Sequence, residues 1–159
     1  MRIAVIPGSY DPITLGHLDL VKRALTQFDE VVVAVMNNPQ KTYMFDMDTR
    51  AEMVRRATSE LFGVRVVADS GMLVDLFDRV EATAIVKGVR NSEDLAYEQE
   101  MAAYNLSKNP RAKTVFLEAR EELSALSSTL VRAQLKAGKV PTDLLPAAVA
   151  EYLLEKERL

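Results

Sequence analysis

Short β-branched runs alternate along this chain with stretches of helical spacing, and few architectures accommodate that rhythm. The runs lie at residues 2–6, 31–36, 64–68, 83–87 and 114–118. Four are continuously apolar at their centre, as strands buried on both faces are. Between them, Leu18, Val21 and Leu25 fall on one helical face. Met53, Ala57 and Glu60-Leu61 follow possible caps at Asp46, Asp48 or Thr49, with Thr49 and Glu52 spaced as a capping box. Leu73, Leu76, Phe77 and Val80 mark a third helix; a fourth, capped by Asn91 or Ser92, reaches about Leu106 and stops at Asn109-Pro110. Strand and helix in repeated succession predict a parallel sheet with helices on both faces. Helices alone then close the chain: one starts at residues 127–129 and stops at Gly138, and another covers 144–156.

No linker, repeat or charge block divides the sequence, so the 159 residues are read as one domain, 1–159. A chain of that length buries roughly 70% of the surface it exposes unfolded. Its 48% hydrophobic and 27% charged residues exclude a disordered or low-complexity chain. It has no cysteine, which excludes thiolate nucleophiles and Cys-based zinc sites and fits a reducing compartment. Its one histidine, His17, excludes any site needing two histidines from one chain. The net charge of −3 makes a duplex-binding face unexpected. A polyanionic ligand must then be met by a few placed cations, backbone N–H groups or a metal. The first apolar run ends at Pro7-Gly8, and no run approaches 18 residues. The expectation is a soluble, cytoplasmic protein with no nucleic-acid or membrane partner.

The pattern fits a Rossmann-like, doubly wound α/β sheet of five parallel strands in the order 3-2-1-4-5, followed by C-terminal helices. In that order the winding reverses between strands 1 and 4, and ligands bind at the carboxyl edge there. The segment after strand 1 reads PGSYDPITLGH. Gly8 and Gly16 are expected to let backbone approach a ligand, and Pro7 and Pro12 to stiffen the loop. The helix that follows offers free N–H groups and a positive dipole end to phosphate, with His17 in its first turn. Neither GxGxxG nor GxxxxGK[ST] is present. Lys41, in NPQKTYMF after strand 2, can reach a phosphate from that edge. So can Lys87 and Arg90, which flank Gly88-Val89 after strand 4, arginine as a fork and lysine as a point charge. Glu98, on the next helix, can accept from a sugar or base. Ser127, Ser128 and Thr129 offer hydroxyls at a helix start. Singly, each has a plainer reading: a surface or core histidine, turn glycines, solvated charges, an N-cap cluster. Their convergence on one crevice points to a site.

These segments carry a resemblance. GSYDPITLGH is similar to the signature of the nucleotidylyltransferase superfamily, with Thr14-Leu15-Gly16-His17 as its TxGH element and Tyr10 in place of the more usual phenylalanine. With NPQKTYMF, IVKGVRNSEDLAYE, SSTLVR and the Leu144-Leu145-Pro146 segment, the chain resembles the bacterial phosphopantetheine adenylyltransferase family along nearly its whole length. The resemblance implies adenylyl transfer from ATP to 4′-phosphopantetheine, giving dephospho-coenzyme A and pyrophosphate with Mg²⁺. It also implies a cytoplasmic homohexamer with coenzyme A as feedback inhibitor. It assigns Ser9, Lys41, Leu73 and Lys87 to phosphopantetheine. To ATP it assigns Ser9, Tyr10, His17, Gly88, Val89, Arg90 and Glu98, with Leu123, Ser124, Ala125, Leu126, Ser127, Ser128 and Thr129. The metal is expected on the ATP phosphates. The chain departs from the family at Leu95 and Ala96, and at Leu123 and Ala125, where aromatic residues or a glutamate are frequent; these departures bear on the adenine contacts.

The expected chemistry is direct in-line attack, catalysed by positioning and charge stabilisation through His17, Lys41 and Arg90. The helix dipole disfavours a charged His17 and bound phosphates favour it, so the sequence leaves its protonation open. SSTLVR is also similar to an element of nicotinate mononucleotide adenylyltransferases, and glycerol-phosphate cytidylyltransferases share the first motif. A flavodoxin-like binding module without chemistry is the alternative from another class.

Overall fold

The computed structural model describes residues 1–157. Five parallel strands form one sheet: β1 (Ile3–Gly8), β2 (Glu30–Met36), β3 (Val64–Asp69), β4 (Ala84–Val89) and β5 (Thr114–Glu118), in the order β3-β2-β1-β4-β5. The helices are α1 (Leu15–Ala24), α2 (Met47–Thr58), α3 (Leu73–Arg79), α4 (Ser92–Lys108), α5 (Ser128–Lys136) and α6 (Ala147–Glu157). A single 3₁₀ turn, Glu121–Leu123, which no periodicity marked, lies between β5 and α5.

Side-chain alternation sorts the core into two layers. Ala4, Ile6, Val31, Val33, Val35 and Val86 pack under α1, α2, α5 and α6. Ile3, Val5, Val32, Ala34 and Ile85 pack against α3. Right-handed crossovers require this: stepping from β1 to β2 to β3 puts α1 and α2 on one face, and the return to β4 puts α3 on the other. Edge strands β3 and β5 are only half-buried.

Local chemistry sets the helix limits. Asn91 caps α4 by accepting the Asp94 N–H at 2.9 Å, and Ser127 caps α5 by accepting that of Leu130 at 3.2 Å. Asp46 caps α2, accepting the Thr49 N–H at 2.8 Å, so Thr49 lies inside the helix rather than at a capping box. Gly138, at φ +82°, ends α5. α6 begins after Pro146 rather than at residue 144. Proline lacks the N–H that a helix interior needs, and the Leu144 carbonyl is engaged by the Leu15 N–H at 3.1 Å.

Two strands run further than expected, and this opens the site. β1 includes Pro7 and Gly8, and β4 includes Gly88 and Val89. The β1–β2 ladder continues to Gly8↔Val35, whereas β1 and β4 are paired only at Ala4↔Ala84 and Val5↔Ile85. Beyond Val5 the two central strands part. Pro7 therefore needs no N–H on that side, and a crevice opens where the winding reverses. Among the described residues no helix is long and apolar enough to cross a membrane.

Candidate active site

A cavity of about 680 Å³ fills this crevice, within the size range of ligand sites. Ser9, Tyr10, His17, Lys41, Lys87, Gly88, Arg90, Glu98, Leu123, Leu126, Ser127, Ser128 and Thr129 all line it. Leu73 lines a second cavity of about 320 Å³ instead, with Met72, Val74, Tyr97, Met101 and Thr114. Pro7, Gly8, Ser9, Lys87 and Glu98 belong to both walls, so the two spaces meet at one partition. Three expected residues stand outside both linings. Val89 is buried in β4, its carbonyl accepting the Ala119 N–H at 2.9 Å. Ser124 turns its hydroxyl to the Glu121 carbonyl at 2.9 Å, and Ala125 lies beside it in the connection to α5.

His17 is fixed by the start of its own helix. Thr14 caps α1: its Oγ1 accepts the His17 N–H at 3.4 Å, and its own N–H donates to His17 Nδ1 at 3.0 Å. An Nδ1 that accepts a backbone N–H carries no proton, so in the neutral ring Nε2 bears it. Burial, then the positive charges of Lys87 and Arg90, hold the His17 pKa down to about 4. In the ligand-free protein the ring is therefore a neutral Nε2–H donor at pH 7.

Tyr10 supports that ring from behind. The ring centroids are 4.9 Å apart, nearly edge to face, and the Tyr10 hydroxyl donates to the Ile6 carbonyl at 2.8 Å. Burial pushes that hydroxyl's pKa well above the usual phenol range. Tyr10 lines the cavity, but its ring is a buried prop, 3% exposed. Gly8 and Gly88, both on the cavity wall, also serve the protein's own packing. A Cβ on Gly8 would lie 3.0 Å from the Tyr10 ring, and one on Gly88 would lie 3.2 Å from Leu20 of α1.

Several charges are already engaged. Lys87 pairs with Glu98 at 3.2 Å, across the partition between the cavities. Arg90 is held by Asp94 through Nε at 3.0 Å, with its terminal nitrogens left over for an anion. Ser128 donates to the Pro12 carbonyl at 2.9 Å, tying α5 to the loop after β1. The first N–H groups of α5 open at the cavity wall, where a helix lacks internal acceptors.

Asp11, Arg132 and Arg50, which no sequence motif gives a role, build the frame. Asp11, 2% exposed, accepts the Met44 and Phe45 N–H groups at 2.8 and 3.0 Å. Arg132 donates to the Asp11 carbonyl at 2.9 Å. Arg50, fully buried in α2, reaches both Ser9 and the segment carrying Lys41. A charged residue inside a helix is ordinarily at the surface, and nothing local in the sequence marks Arg50 as an exception.

The cytidylyltransferase-like family model matches residues 5–134. The chain is 40% identical over 156 residues to a phosphopantetheine adenylyltransferase of Caldanaerobacter subterraneus subsp. tengcongensis, covering 98% of each. It is 44% identical to one of Heliobacterium modesticaldum, covering 98% of this chain and 93% of that one. Among solved structures it resembles a bifunctional NMN adenylyltransferase/ADP ribose pyrophosphatase of Francisella tularensis. There the TM-score is 0.74 at 14% identity, over 99% of this chain and half of the other's length, a likeness of fold alone. With such identity along essentially its whole length, and the family model spanning the crevice and its walls, the chain belongs to the phosphopantetheine adenylyltransferase family of cytidylyltransferase-like proteins.

Proposed function

We propose that the chain transfers the adenylyl group of ATP to 4′-phosphopantetheine, releasing pyrophosphate and forming dephospho-coenzyme A, a step of coenzyme A biosynthesis. One observation carries the reading: two cavities meet at a partition of Ser9 and Lys87, one lined by cations and a helix start, the other largely by apolar side chains. ATP fits the first and the pantetheine arm the second, with Leu73 against the arm. Thr114 lines the second cavity, and its buried Oγ1 has no hydrogen-bond partner among the described residues, which suits an arm bearing amides.

The acceptor phosphate attacks the α-phosphorus in line. A bond forms between its oxygen and that phosphorus as the bond to the bridging oxygen of pyrophosphate breaks. A phosphate dianion is nucleophilic without a general base, so the residues position and stabilise charge. His17 Nε2–H donates to the α-phosphate as its charge grows. Ser9, Lys41 and Lys87 orient the acceptor phosphate. Arg90, Ser128 and Thr129 hold the outer phosphates, with Gly88 and Glu98 beside the nucleoside and Leu123 and Leu126 against the base.

The donor set fits a metal carried by substrate. No group of three or more acidic or histidine side chains among the described residues could hold an ion. The cavity carboxylates Asp11, Asp19, Asp94 and Glu98 are each paired with a cation. Mg²⁺ would arrive on the ATP phosphates and neutralise part of their charge.

We further place the reaction in the cytoplasm, in a homohexamer. The exposed apolar residues of α4 support assembly, since this helix of 17 residues buries none of them in the single chain. Coenzyme A carries both substrate pieces, which supports feedback inhibition through the joined cavities. The deciding assay supplies ATP, Mg²⁺ and 4′-phosphopantetheine and follows dephospho-coenzyme A and pyrophosphate. Turnover with this pair is expected; turnover only with CTP or with nicotinate mononucleotide, or none at all, overturns the reading.

A further inference from the structure

Arg50 lines neither cavity, yet nearly every group it holds does. The side chain is 1% exposed. Its Nη1 donates to the Ser9 carbonyl at 2.8 Å and the Met36 carbonyl at 3.3 Å. Nε donates to the Phe45 carbonyl at 3.0 Å, and Nη2 to Asn37 Oδ1. The guanidinium carbon lies 4.1 Å from the centroid of the Tyr43 ring. Ser9 and Tyr43 face the first cavity; Ser9, Met36 and Asn37 face the second. The segment from Met36 to Phe45 includes Lys41, whose own side chain is exposed and makes no ion pair among the described residues.

The partners of Arg50 are neutral. Among the described residues it has no carboxylate within ion-pair distance. A permanently charged group buried on carbonyls is a poor means of stabilising a core, because desolvation offsets most of what the bonds contribute. Its geometry does something an apolar side chain could not: one rigid fork ties the end of β1, the end of β2 and the following loop to α2.

We propose that Arg50 is a positioning residue for adenylyl transfer, holding the loop of Lys41 at a fixed height over Ser9. This rests on the role given to Lys41 above. The lysine stem is flexible, so its ammonium is only as well placed as the backbone beneath it. Freeing that backbone lets the ammonium wander from the acceptor phosphate, and a misplacement of about 1 Å can cost about 10²-fold in rate.

The test is a kinetic cycle of Arg50→Lys, Lys41→Ala and the double variant, each assayed with ATP and 4′-phosphopantetheine. Arg50→Lys is expected to lower kcat by about 10- to 10²-fold with the KM for ATP within about twofold. In the Lys41→Ala background the same substitution is expected to cost less than about twofold, because nothing is left to position. An equal loss in both backgrounds overturns the proposal and leaves the Lys41 role intact. Wild-type kcat in Lys41→Ala overturns both, and wild-type kcat in Arg50→Lys alone overturns the proposal. Should Arg50→Lys not fold, Asn37→Ala with Tyr43→Leu cuts two loop contacts while keeping Arg50, and the same cycle is read.

Discussion

A single imidazole makes the residue-scale claims unusually easy to isolate. In the proposed mechanism His17 is one preorganised neutral donor, so His17→Ala should lower kcat by roughly 10²–10³. Steady-state kinetics should show the KM for ATP within a few-fold; weakened binding at normal turnover would contradict the role. Its protonation can be followed directly, as the chain has no other histidine. The ring should titrate near pH 4 in the free enzyme by NMR, against about 6.5 in the unfolded chain. Between those values the unfolded chain binds a proton that the folded one refuses. Folded stability should therefore fall as pH is lowered from about 6.5 to about 4. Urea titrations should show that slope shrink in His17→Gln. The motif holding His17 was legible because TxGH is contiguous. Its tautomer was not, because it depends on the Thr14 N–H pointing at Nδ1.

Turns and caps decide matters at the scale of elements. Gly138 is in the left-handed region, and a Cβ added there would meet nothing within 4 Å. Gly138→Ala should thus cost only backbone strain, about 1 kcal/mol, read as a lower urea midpoint with activity retained. Gly8→Ala should do the opposite. Its Cβ would displace the buried Tyr10 ring and, through it, His17, so kcat should drop about 10-fold or more while the fold survives. Wild-type activity in Gly8→Ala would show that the ring can give way freely. The helix starts at Asn91 and Ser127 and the stop at Gly138 follow from short-range chemistry and were legible. The lengthening of β1 and β4 was not, since strand ends depend on which neighbour continues the ladder.

At the scale of the molecule, the proposed reaction brings two substrates together at the fork between β1 and β4. Tyr97, Met101 and Tyr104, exposed on α4, line the second cavity, so the proposed assembly and the proposed substrate site would share a helix. Light scattering should give about six times the 17.7 kDa of one chain. Leu106 is exposed and outside both cavity walls, so Leu106→Glu should reduce the assembled mass. An unchanged mass would remove α4 from the interface.

Sequence alone determined the alternation of strands and helices and with it the class of fold, because strand period, helix period and cap chemistry act within a few residues of chain; the order β3-β2-β1-β4-β5 was an expectation of that class, and long-range pairing decided it. Tertiary structure decided which side chains face a ligand and which face the protein. The Arg50–Ser9 bond spans 41 residues of sequence and the Ser128–Pro12 bond spans 116. Such partners are chosen by the packing of the two layers, and no local pattern announces them.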